Sequence, residues 1–126
     1  RHTTSTRDWS SDVCSSDLDF AAGPYGAFKA ALIHYAKTLA CENAGKNIRV
    51  NSVSPGNTYF EGGVWEMIEN NLPDLFSTAL GLNKTGRMAT AEEVANASVF
   101  LASPIATFIT GTNLVVDGAL TNRVQY

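Results

Sequence analysis

Cysteine is scarce, positive charge is in deficit, and no long apolar run occurs in this 126-residue chain. The two cysteines, Cys14 and Cys41, form no metal-ligand pattern and nothing suggests a secreted, disulfide-stapled fold. A reducing, cytoplasmic setting is the expectation, with Cys41 a small buried apolar residue rather than a nucleophile. Nine Lys and Arg against twelve Asp and Glu give a net charge of −3, which leaves no basic surface for nucleic acid. No stretch approaches the ~20 apolar residues of a membrane span, so no membrane role is expected. No secretory signal is visible at the start, and none is expected. Prolines number only four, and each falls at the edge of a patterned segment. What remains is the makeup of a soluble globular chain, 44% hydrophobic and at most one domain.

Residues 1–18 differ from the rest. Eight of these 18 are Ser or Thr, and only Trp9, Val13, Cys14 and Leu18 are apolar. With no period of either kind, a packed element is not expected there. The run RDWSSDVCSSDL resembles a translated sequencing-adapter sequence, so residues 1–18 are read as a non-native or disordered arm. Residues 19–126 then form the folded part, with Asp19–Gly23 as its lead-in.

The segment Tyr25–Ala44 reads as one helix. Pro24 suits its first position, and Gly45 suits the left-handed residue past its end. Phe28, Leu32, Tyr35 and Leu39 make one apolar stripe. Gly26 and Ala30 leave room for another helix or a cofactor to approach. Tyr25 and Lys29 stand one turn apart on one face. A free tyrosine, with a pKa of ~10, is a poor proton donor or acceptor at neutral pH. A neighbouring ammonium stabilises a phenolate and fits tyrosine for acid–base work. The structural alternative is an aromatic near the helix start beside a solvated lysine.

Asn47–Val53 carries three β-branched apolar residues and reads as a buried strand ending at Ser54-Pro55-Gly56. In open parallel sheets ligands gather beyond the strands' carboxyl ends, where Pro55-Gly56-Asn57-Thr58 would lie. Gly62-Gly63 permits a hinge, and two amphipathic pieces follow, split by Pro73. Thr90 and Glu93 form a capping box for a helix running to about Leu101, with Val94, Ala97, Ser98 and Leu101 on one face. Asn113–Val116 is a short strand closed by Asp117-Gly118, and the tail to Tyr126 is expected to fray.

Four segments in this order resemble the short-chain dehydrogenase/reductase family: Tyr25-x-x-x-Lys29; Ile48–Gly56 with Thr58; Gly86–Ala95; and Phe108–Gly111 through Val116–Gly118. The resemblance spans about residues 20–120. It implies an α/β chain, the C-terminal part of a Rossmann-like doubly wound parallel sheet, incomplete here. It implies an oxidoreductase interconverting alcohol and ketone by hydride transfer with NAD or NADP. On the family pattern Tyr25 exchanges a proton with the substrate oxygen. Lys29 holds the nicotinamide ribose hydroxyls and stabilises the phenolate. Thr58 and the backbone of Pro55, Gly56 and Asn57 hold the carboxamide. Residues 59–89 would be a lid over the cofactor, and the last strand would lie at the sheet edge near a subunit contact. A small-molecule substrate is implied, with no metal, and a homodimer or homotetramer for the full-length protein.

Two departures stand out. The family's carbonyl-polarising serine falls where Asp12 stands, and neighbouring Ser11 is no convincing substitute. The glycine-rich pyrophosphate turn is absent. The chain is therefore expected to be a truncated fragment, inactive alone, whose strand at Ile48–Val53 lacks the neighbours it needs on both edges. The alternative is a non-catalytic scaffold that uses the 25–44 helix as a dimer face.

Overall fold

The computed structural model describes residues 24–122. The expected arm at 1–18, with Ser11, Asp12 and Cys14, lies outside the described residues, as do the lead-in at 19–23 and the end of the tail at 123–126.

Helix α1 spans Pro24–Asn43, with Pro24 at its start as expected. Its exit differs from expectation, because Gly45 is not the left-handed residue. The chain tightens into a 3₁₀ turn at Ala44–Lys46, and Asn47 takes the left-handed conformation at φ 59°. Its N–H bonds the Ala44 carbonyl at 3.0 Å. Asparagine tolerates this region better than most side chains, so the reversal falls two residues later.

Strand β1 is Ser52–Pro55, shorter and later than the expected 47–53. It pairs in parallel with β4, Asn113–Val116, in the register Ser52–Asn113 to Pro55–Val116. Upstream, side chains interrupt the regular ladder. The Val50 N–H donates to Thr110 Oγ1 at 3.1 Å. Asn51 Nδ2 donates to the Ile109 carbonyl at 3.0 Å, and its Oδ1 accepts from the Thr112 N–H at 3.1 Å. Gly111, at φ +71°, bends the partner chain at this point. A Cβ there would lie 2.9 Å from Lys37 Cδ and 3.2 Å from Ala40 Cβ, so the missing side chain is what lets α1 come close.

Between β1 and β4 the chain forms β2 (Thr58–Tyr59), α2 (Val64–Asn71), α3 (Pro73–Leu82), β3 (Ala89–Thr90) and α4 (Ala91–Ala102). Strands β2 and β3 pair in parallel as a second, two-stranded sheet. Two strands and about three helices were expected; the described residues hold four of each. The additional strands are two residues long, too short to show a period.

Both ends of α4 are tied. The Glu93 N–H donates to Thr90 Oγ1 at 3.3 Å, and the Thr90 N–H donates to Glu93 Oε2 at 2.9 Å, which is the expected capping box. At the other end Arg49 donates to the carbonyls of Leu101, Ala102 and Ser103, and also to Ile109. A guanidinium there meets both the orphan carbonyls and the negative end of the helix dipole. Leu101 is buried, Val94 and Ala97 are half-buried, and Ser98 is exposed.

The core holds Ala40, Ile68, Ala79, Met88, Leu101 and Ala106, and of these only Ile68 is a large, fully buried side chain. Most of the stripe on α1 stays uncovered: Phe28 is 72% exposed, Leu32 57% and Tyr35 59%, while Leu39 is half-buried. Cys41, expected to be buried, is exposed. Ala40, one position earlier, occupies the contact with Gly111 and turns Cys41 away.

Candidate active site

Tyr25 and Lys29 occupy the first two turns of α1. The Lys29 Nζ lies 5.4 Å from the Tyr25 ring centroid, within cation–π range. The spacing of four in a helix has therefore brought the two groups together on an open face, with Tyr25 61% exposed. Among the described residues no hydrogen bond consumes the Lys29 ammonium, whose three donors suit adjacent hydroxyls.

Pro55 is the last residue of β1 and Thr58 the first of β2, so Pro55-Gly56-Asn57-Thr58 lies at the carboxyl end of β1, with only Gly56 and Asn57 between the strands. The Gly56 N–H extends the ladder to the Val116 carbonyl at 3.0 Å, and the Ala89 N–H reaches the Asn57 carbonyl at 2.9 Å. Thr58 Oγ1 donates back to the Gly56 carbonyl at 3.1 Å. A Cβ on Gly56 would sit 2.7 Å from Asp117 Cβ and 2.8 Å from its Cα, so this glycine is required by close packing. Among the described residues no hydrogen bond links this loop to Tyr25 or Lys29, so the chain holds the two groups of candidate residues on separate elements.

Sequence reasoning treated Asp117 only as a strand terminator, but it organises the turn behind the loop. Its carboxylate accepts from the Thr121 hydroxyl at 2.7 Å, the Thr121 N–H at 3.0 Å and the Ala119 N–H at 3.0 Å. Burial alone would push this carboxyl up; the bonds from Thr121 and Ala119 outweigh it and hold it below its ordinary range. An aspartate with a threonine four residues on was the available signal. Arg49 was missed for a different reason: its four carbonyl partners come from elsewhere in the chain.

Beyond Thr58, Tyr59 donates to Glu69 Oε2 at 2.6 Å. The bond to Glu69, with burial and the negative charges of Glu69 and Glu66, raises the Tyr59 phenol to about 12. Tyr59 and Phe76 meet edge-on at 6.1 Å, as do Trp65 and Phe76 at 6.5 Å.

An open groove of about 620 Å³ lies between β1 and α4, lined by Asn47, Arg49, Asn51, Val53, Ser98, Leu101 and Ala102. None of the candidate site residues lines it. Among the described residues no cluster of three or more His, Cys, Asp or Glu could hold a metal. No described helix is long and apolar enough to cross a membrane.

Residues 10–121 match the family described as enoyl-(acyl carrier protein) reductase. Isoepoxydon dehydrogenase patN of Aspergillus clavatus is 39% identical over 102 residues, 81% of this chain and 39% of that protein. The 3-oxoacyl-(acyl-carrier-protein) reductase FabG of Chlamydia pneumoniae is 40% identical over 97 residues, 77% of this chain and 37% of that protein. In three dimensions the chain resembles YwfH, an NADPH-dependent reductase involved in bacilysin biosynthesis. The TM-score is 0.70 at 28% identity, covering 79% of this chain and 40% of that one. The chain thus spans about two fifths of the length of these curated relatives. With parallel α/β pairing and a family match over most of its length, the chain belongs to the short-chain dehydrogenase/reductase family.

Proposed function

We propose that this chain supplies the proton-transfer half of an NAD(P)-dependent oxidoreductase that interconverts an alcohol and a ketone. The observation that carries the reading is the Lys29 ammonium 5.4 Å from the ring centroid of an exposed Tyr25. When bound, NAD or NADP supplies or accepts the hydride. Tyr25 gives a proton to the carbonyl oxygen on reduction and takes it back on oxidation. Lys29 offers its N–H groups to the nicotinamide ribose hydroxyls, and its charge favours the phenolate. The Thr58 hydroxyl and the backbone from Pro55 to Asn57 orient the carboxamide.

On this reading residues 19–126 are the C-terminal part of a dinucleotide-binding domain, and the chain alone turns nothing over. The substrate is a small molecule handled in the cytoplasm. The uncovered Phe28, Leu32 and Tyr35 support a homodimer or homotetramer of the longer protein. The test is Tyr25→Phe in a protein that joins this chain to a glycine-rich dinucleotide-binding half. Turnover should fall by about 10²–10⁴-fold, the usual worth of a positioned acid–base group, with cofactor affinity nearly unchanged. Turnover at the parent rate would overturn the acid–base role of Tyr25.

A further inference from the structure

We infer that Tyr59 and Glu69 form a latch that holds the α2–α3 pair against the strand end carrying Thr58, with Gly62-Gly63 as the hinge.

The connection begins with a weak backbone grip, because β2 is only two residues long. Side chains supply the rest. The Tyr59 phenol reaches across to Glu69, in the last turn of α2, at 2.6 Å. That is the short range of a hydroxyl bonded to a carboxylate. The Tyr59 ring also abuts Phe76 of α3 edge-on, and Phe76 abuts Trp65 of α2. One strand residue therefore touches both helices, by its hydroxyl and by its ring.

The hinge has complementary properties. Gly62 is left-handed at φ +77°, with nothing within 4 Å of where a Cβ would stand. Gly63 is buried, and a Cβ there would come 2.9 Å from the Phe60 carbonyl oxygen and 3.0 Å from the Phe60 ring. Its N–H closes onto that carbonyl at 3.0 Å, while Glu66 Oε2 accepts the Gly62 N–H at 2.7 Å. The backbone thus has open space around one glycine, held only by the Glu66 carboxylate, and is seated against Phe60 at the next. Lids of this kind come from segments that open at lower cost than the core.

The link to catalysis rests on the proposed function, since Tyr59 adjoins Thr58 there; the latch itself rests on the contacts above. Tyr59 acts as a positioning residue and takes no part in proton transfer.

Hydrogen exchange by mass spectrometry on the 126-residue chain tests it, with Tyr59→Phe, Glu69→Ala and the double variant. Tyr59→Phe keeps the ring beside Phe76 and removes only the donor. Each single variant should speed exchange across residues 64–82 about tenfold, the double no more than either single, with β1 and β4 unchanged. Unchanged exchange at 64–82, or full additivity in the double variant, would overturn the latch. Loss of protection in β1 and β4 with Tyr59→Phe would make Tyr59 a core support and overturn it equally. Turnover by Tyr25→Phe is a separate measurement, so latch and catalytic reading can fail independently.

Discussion

A single carboxylate shows how much local chemistry concentrates in one side chain. Glu93 receives both Arg87 nitrogens, at 2.8 and 2.7 Å, while it closes the capping box with Thr90. The Arg87 bond first, then the Thr90 N–H, holds its carboxyl at about 2 against an ordinary 4.5. A depressed folded value makes the contribution complete above about pH 4.5 and progressively lost as pH falls through about 2. Circular dichroism across that window should show α4 losing support on acidification, and Arg87→Ala should flatten the dependence. Thr90→Ala removes the acceptor for the Glu93 N–H and should cost about 1 kcal/mol, read as faster exchange in the first turn of α4. This box was legible because its residues are neighbours in sequence. So was the Tyr25–Lys29 pair, which a helix brings together by its own period. Cys41 and Gly45 were misjudged at the same scale. What faces Gly111, and where a helix tightens to 3₁₀, depend on contacts that local pattern does not encode.

At the scale of elements, Arg49, just upstream of β1, ties the end of α4 to Ile109. Removing the guanidinium leaves several helix-end carbonyls without their charged donor, so Arg49→Ala should destabilise by about 2 kcal/mol. Exchange at Val99–Ala102 would report it. Arg49→Lys should recover only part, because an ammonium cannot span the same fork of acceptors. Gly56→Ala should push β1 and β4 apart where Asp117 crowds the loop, at a cost of about 1–3 kcal/mol. Faster exchange of the Gly56-position amide would be the sign. The split at Pro73 and the limits of α4 could be read from pattern, since proline and the capping box mark helix ends wherever they fall. The start of β1 could not. Ile48–Asn51 has strand composition, but the Asn51 and Thr110 side chains take over the hydrogen bonding there.

For the whole molecule, the decisive fact is how little is enclosed. Among the described residues Ile68 alone is both large and fully buried, whereas Phe28, Leu32, Tyr35, Ile105 and Phe108 are all more than half exposed. Among the described residues β1 pairs with β4 alone, so the expected lack of neighbours on both edges is corrected on one edge and stands on the other. The chain by itself should associate with rising concentration in sedimentation velocity and show no saturable NADPH fluorescence enhancement. A monomer at every concentration would mean that those faces are better protected than the contacts indicate. The pairing of Ser52 with Asn113 also has a bearing on synthesis. Sixty-one residues must be added after Ser52 before its partner exists, which takes roughly 3–12 s at 5–20 residues per second. Throughout that interval the edge of nascent β1 that β4 will cover has no partner, so ribosome-associated chaperones have a target here well before the final strand emerges.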